Sequence, residues 1–118
     1  MTGLTLAALF MGICSTNPTL DCEKVTVNFK SLPEGFNAIT QRYPDGSTAV
    51  YINRELRFAP TRRIRGLLVH EIAHLIHLKL EGSAFNLKDA HGETYRRICK
   101  QLAERHHLGR DTNCVRRK

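Results

Sequence analysis

The 118-residue sequence predicts a single domain of the α+β class. Three observations predict it. Alternation of Val25, Val27 and Phe29 with polar neighbours over residues 24–30, and two β-like runs at 36–42 and 48–53, indicate a few short strands. Apolar residues recurring every three or four positions after Pro60, and again after Gly92, indicate two helices. The composition, 42% hydrophobic and 25% charged, is that of an ordinary globular chain able to bury a modest core.

In chain order, Leu4 to Ile13 is the one long apolar run, far short of the roughly 20 residues needed to span a bilayer. No Lys or Arg precedes it and no small-residue cleavage site follows, so residues 3–13 are expected to form a packed N-terminal helix. The alternative is a secretory signal within residues 1–22. The expected location is therefore cytoplasmic, or secreted under that alternative, with no membrane association. Ser15 to Asp21, with Asn17-Pro18, reads as a loop. Tyr43-Pro44-Asp45-Gly46-Ser47 separates the last two β-like runs and predicts a hairpin.

A long helix is expected next, starting at Pro60 and Thr61 with Thr61 as N-cap, and stopping at Gly82. Its apolar positions are Ile64, Leu67, Leu68, Ile72, Leu75 and Ile76. Residues 81–90 read as a loop, with Ala84 to Leu87 able to form a helical turn. A last helix begins near Gly92, carries Tyr95, Ile98, Cys99, Leu102 and Ala103 on its apolar side, and ends before Gly109. The basic tail, 110–118, is expected to fray.

Cys14, Cys22, Cys99 and Cys114 form no C-x-x-C pair, which excludes a zinc ribbon and a thioredoxin-like motif. Four cysteines fit either two disulfides in a secreted chain or four thiols in a cytosolic one. The net charge of +7 is uneven: residues 1–50 carry −1 and residues 51–118 carry +8. A basic C-terminal half can attract nucleic acid, or it can be a solvated face.

Within the long helix, His70-Glu71-Ile72-Ala73-His74 has the form H-E-x-x-H. Residues four apart lie on one helical face about one turn from each other, so both imidazoles can reach one zinc ion. Glu71 sits at the edge of that face, where its carboxylate can act as general base toward water activated by the metal. A catalytic zinc takes three protein ligands. His77 is about 10 Å along the axis from His70, too far to share one ion, and reads as a supporting or surface residue. His106 and His107 read as solvated cations at a helix C-terminus. His91, at the head of the last helix, is the favoured third ligand, with Glu81 and Glu93 as weaker oxygen candidates. Asp89 is a candidate partner for a ligand histidine or a helix cap, and Tyr95 a candidate oxyanion donor.

The run Leu68-Val69-His70-Glu71-Ile72-Ala73-His74, followed by Asp89-Ala90-His91-Gly92-Glu93-Thr94-Tyr95, resembles the SprT-like zinc metallopeptidases, whose pattern is H-E-x-x-H, a loop, then H-G-x-x-[FY] entering a helix. The resemblance covers about residues 48–103. It implies His70, His74 and His91 as zinc ligands and Glu71 as general base. It also implies a zincin-like α+β fold, with a small antiparallel or mixed sheet packed beside the active-site helix. The substrate would be a polypeptide lying along the cleft. Some relatives, the Spartan proteases, digest proteins crosslinked to DNA, with which the basic half is compatible. The sequence departs from the family in having only Cys99 and Cys114 where many members carry a zinc ribbon. Any DNA contact would then fall to surface residues such as Arg96, Arg97, Lys100 and Arg105.

Two other readings use the same residues. His70 to His77 also resembles the ImmA/IrrE-type metallopeptidases, which cleave repressors and take a later glutamate as third ligand. A nucleic-acid-binding module with a structural zinc is the non-catalytic alternative, although such sites take four protein ligands, often cysteine.

Overall fold

A computed structural model describes residues 1–81, 92–108, 112 and 114. Its elements are α1 (Gly3–Cys14), β1 (Val25–Lys30), β2 (Ala38–Arg42), β3 (Thr48–Asn53), α2 (Thr61–Glu81) and α3 (Glu93–Arg105), with 3-10 turns at Cys22–Lys24 and Arg54–Leu56. The α+β class is as expected.

The N-terminal apolar run forms α1 because one side chain caps it and one face is covered. The Thr2 hydroxyl accepts from the Thr5 amide at 3.2 Å. Leu6, Phe10, Ile13 and Cys14, spaced by four, three and one, are buried in the core. The strands make a mixed sheet of order β1-β3-β2. Strand β3 is central, paired antiparallel with β2 through the expected hairpin and parallel with β1. At the hairpin tip the Gly46 amide donates to the Tyr43 carbonyl at 3.0 Å, with Gly46 at φ 89°, a conformation that disfavours any side chain. As the central strand, β3 buries Ala49, Val50, Ile52 and Asn53.

Helix α2 supplies Ile64, Leu68, Val69, Ile72 and Leu75 to the main core, which it shares with α1, the sheet, and Leu102, Ala103 and Leu108. It begins one residue differently from the expectation. Thr61 is already helical, and the Pro60 carbonyl accepts from the Arg63 and Ile64 amides. Pro60, lacking an N–H of its own, suits the position before the first turn. Helix α3 is strongly two-sided: Tyr95, Cys99, Leu102 and Ala103 are buried, while Arg96, Arg97, Lys100 and Arg105 are exposed. The four cations thus form the solvated face of an amphipathic helix.

Both cysteine pairs are disulfides, Cys14–Cys22 and Cys99–Cys114. The first joins the end of α1 to the turn before β1. The second corrects the expectation of a frayed tail at one point: Cys114 is bonded to α3 and buried with Ala73, Tyr95 and Cys99. The expected loop at 81–90, apart from the helical Glu81, and the expected stops at Gly82 and Gly109 lie outside the described residues. Among the described residues, no helix is long and apolar enough to cross a membrane.

Candidate metal centre

Three elements converge on the H-E-x-x-H face of α2. The helical repeat places His70 and His74 side by side, with ring centroids 5.0 Å apart and planes at 76°. Both are half-buried. Glu71 is turned inward and only 4% exposed. One of its carboxylate oxygens, Oε2, lies 3.8 Å from Nε2 of His70. The other, Oε1, accepts a 2.8 Å hydrogen bond from the Thr40 hydroxyl on β2.

Tyr95, in the first turn of α3, closes the back of the site. Its ring stacks on His74 at 4.3 Å and 24°, and meets His70 edge-on at 5.4 Å. Its hydroxyl donates to the His70 backbone carbonyl at 2.9 Å. The residue is fully buried. Tyr95, the candidate oxyanion donor, here directs its hydroxyl to the helix backbone beside the imidazoles. Burial, and then the charge of Glu71, push the Tyr95 hydroxyl far above the ordinary tyrosine range, so it stays protonated.

The electrostatics of Glu71 follow from its depth. Burial pushes its carboxyl up from the ordinary 4.5 to about 7, against the opposing pull of the Thr40 hydrogen bond. A divalent cation beside it would favour the ionised form. The donor set fits such an ion. The ligating atoms of His70, Glu71 and His74 all lie within 4.8 Å of one another, the one such cluster among the described residues. The two imidazoles are nitrogen donors that zinc accepts, and the carboxylate stands close enough either to join them or to act on a metal-bound water.

The remaining candidates separate clearly. His77 is buried at 3% exposure, not a surface residue, and lies outside the cluster, with its ring 6.4 Å from Tyr95. Glu93 is exposed at the start of α3. His106 lies partly buried, its Nε2 3.3 Å from the Thr16 hydroxyl. Burial and the positive charges of Arg65, Arg105 and His107 lower its pKa, so the solvated-cation reading does not hold for it. His91, Asp89 and the side chain of Glu81 fall outside the described residues.

Thr40 was missed. A threonine in a half-buried strand carries no local signal of contact with a carboxylate 31 residues later. Its hydroxyl is expected to matter to stability as well as to geometry. Thr40→Val should cost about 1–3 kcal/mol at neutral pH by leaving a buried carboxylate oxygen without its donor, and Thr40→Ser should recover most of it. Urea unfolding of the three proteins checks this; equal midpoints would show that the bond contributes nothing.

No protein-family model matches the chain, and neither does any curated protein or solved structure.

Proposed function

We propose that the chain is a zinc-dependent endopeptidase of the SprT-like type, with His70 and His74 as metal ligands and Glu71 as general base. One observation carries the proposal: a buried carboxylate is held by Thr40 on one oxygen while its other oxygen faces an imidazole of the i, i+4 histidine pair. Zinc bound there supplies a Lewis acid that polarises the scissile carbonyl and makes water a nucleophile near neutral pH. Glu71 accepts the proton of that water and delivers it to the departing amine nitrogen. Tyr95 holds the imidazoles from behind.

His91 is the proposed third ligand. The support is positional: the first turn of α3 lies against His70 and His74 through Tyr95, and His91 precedes that helix by two residues. The substrate class is polypeptide. Two disulfides favour an oxidising compartment over a reducing cytoplasm. Residues 3–14 belong to the folded core as α1, so this reading does not rest on a signal within residues 1–22.

The test is metal removal and return. The purified protein should hold one zinc per chain and cleave an unfolded protein substrate. A chelator should abolish cleavage, and zinc should restore it. His74→Ala should lose zinc. Cleavage that persists in zinc-free protein would sink the proposal, and zinc bound without cleavage would favour the structural-site reading.

A further inference from the structure

A cavity of about 640 Å³ lies between the C-terminal half of α2, the start of β1 and the β2–β3 hairpin. Its floor includes Leu75 and Leu78 of α2, and its rim carries Lys24, Arg42 and Lys79. Both of its main walls continue the walls of the candidate metal centre. On α2, Leu75, Leu78 and Lys79 follow Glu71 by four, seven and eight residues, which keeps them on one face and places them about 6 to 12 Å further along the axis. On β2, Arg42 follows Thr40 by two residues, so both side chains leave the same face of the strand about 7 Å apart. Thr40 is the residue that holds Glu71. The separation from Glu71 along α2 corresponds to about two to four residues of extended chain.

The charge of the cavity is one-sided. Lys24, Arg42 and Lys79 are opposed by Asp21 alone among the lining carboxylates, and Asp21 pairs with Lys24 at 3.7 Å. Among the described residues, neither Arg42 nor Lys79 has a carboxylate within ion-pair distance. Both are exposed at the mouth of the cavity, while Leu75 is buried below them. An apolar floor beneath exposed cations is complementary to an apolar side chain with a carboxylate next to it.

We infer that this cavity binds an acidic polypeptide segment, an apolar residue flanked by Asp or Glu, and presents the chain to Glu71 so that the acidic residues stand two to four positions from the cleaved bond. The inference rests on the peptidase reading for the word "cleaved" and on the cavity itself for the binding.

The experiment measures binding and cleavage separately. Zinc-loaded full-length Glu71→Gln protein is titrated into two dye-labelled peptides of one sequence, with Glu or Lys flanking a central Leu, and anisotropy is read. The acidic peptide should bind on the order of tenfold more tightly at low salt, and the preference should shrink as salt screens it. Adding Arg42→Glu or Lys79→Glu should each erode the preference, and both together should reverse it. These side chains are exposed, and a circular dichroism melt of each variant confirms folding. Equal affinity for the two peptides, or a preference that survives both charge reversals in folded protein, overturns the inference. Wild-type protein is then given the same peptides and the products are mapped by mass spectrometry. Cleavage of both alike with no binding preference overturns the cavity assignment and leaves the peptidase reading standing. A binding preference erased by charge reversal, in a zinc-loaded wild type that cleaves neither peptide, upholds acidic binding and overturns the peptidase reading.

Discussion

Glu71→Gln in the zinc-loaded protein should lower peptide cleavage on the order of 10²–10⁴-fold while zinc stays bound. The amide keeps the shape of the side chain and can still accept from Thr40 through its oxygen, so the site should remain assembled. What it loses is the capacity to take a proton from water. Zinc content by elemental analysis and turnover of a fluorogenic peptide check the two halves of this result. Unchanged turnover would remove Glu71 from the chemistry. Turnover and zinc lost together would mean that Glu71 acts as a ligand.

The same substitution has a second readout that needs no substrate. In the zinc-free protein the Glu71 carboxyl sits at about 7 against an ordinary 4.5. Between those values the folded state holds a proton that the unfolded state has released, so stability falls as pH rises from 4.5 through about 7. The full shift corresponds to about 3 kcal/mol, present below the unfolded value and lost above the folded one. Glutamine does not titrate, so Glu71→Gln should flatten that part of the profile. Zinc should oppose the fall in the wild type, because it favours the carboxylate. Urea midpoints at pH 5 and pH 8, with and without zinc, give the comparison; an identical pH slope in wild type and variant would contradict the buried-carboxyl account.

Tyr95→Ala is the second substitution with a large expected effect, about 3–5 kcal/mol of stability. The ring is fully buried and joins the small cluster of Ala73, Cys99 and Cys114. Its loss leaves a cavity between α2 and α3 and removes the surface on which His74 stacks. Zinc affinity should fall with it, on the order of 10- to 100-fold, as when the groups that orient metal ligands are removed. Tyr95→Phe separates packing from hydrogen bonding. It keeps the ring and loses only the bond to the His70 carbonyl, so about 1 kcal/mol is expected. Denaturant unfolding of the zinc-free proteins and competitive zinc titration measure both quantities. If Phe costs as much as Ala, the hydroxyl and not the ring carries the site.

The local parts of this protein can be read from its amino-acid order. The helices α1, α2 and α3 and the β2–β3 hairpin are legible because each repeats a short period or a turn motif within a few residues. The His70–Glu71–His74 cluster is legible for the same reason, since residues four apart on a helix meet whatever the rest of the chain does. The folded chain sets the contacts between residues far apart in sequence. It paired β1 parallel to β3 across the hairpin, joined Cys99 to Cys114, and put the Thr40 hydroxyl on Glu71. It stacked the Tyr95 ring on His74 and put its hydroxyl on the His70 carbonyl. Such contacts have no period and no fixed spacing. They exist because burying one apolar face of α2 against the sheet and another against α3 leaves Glu71 and its neighbours facing both at once.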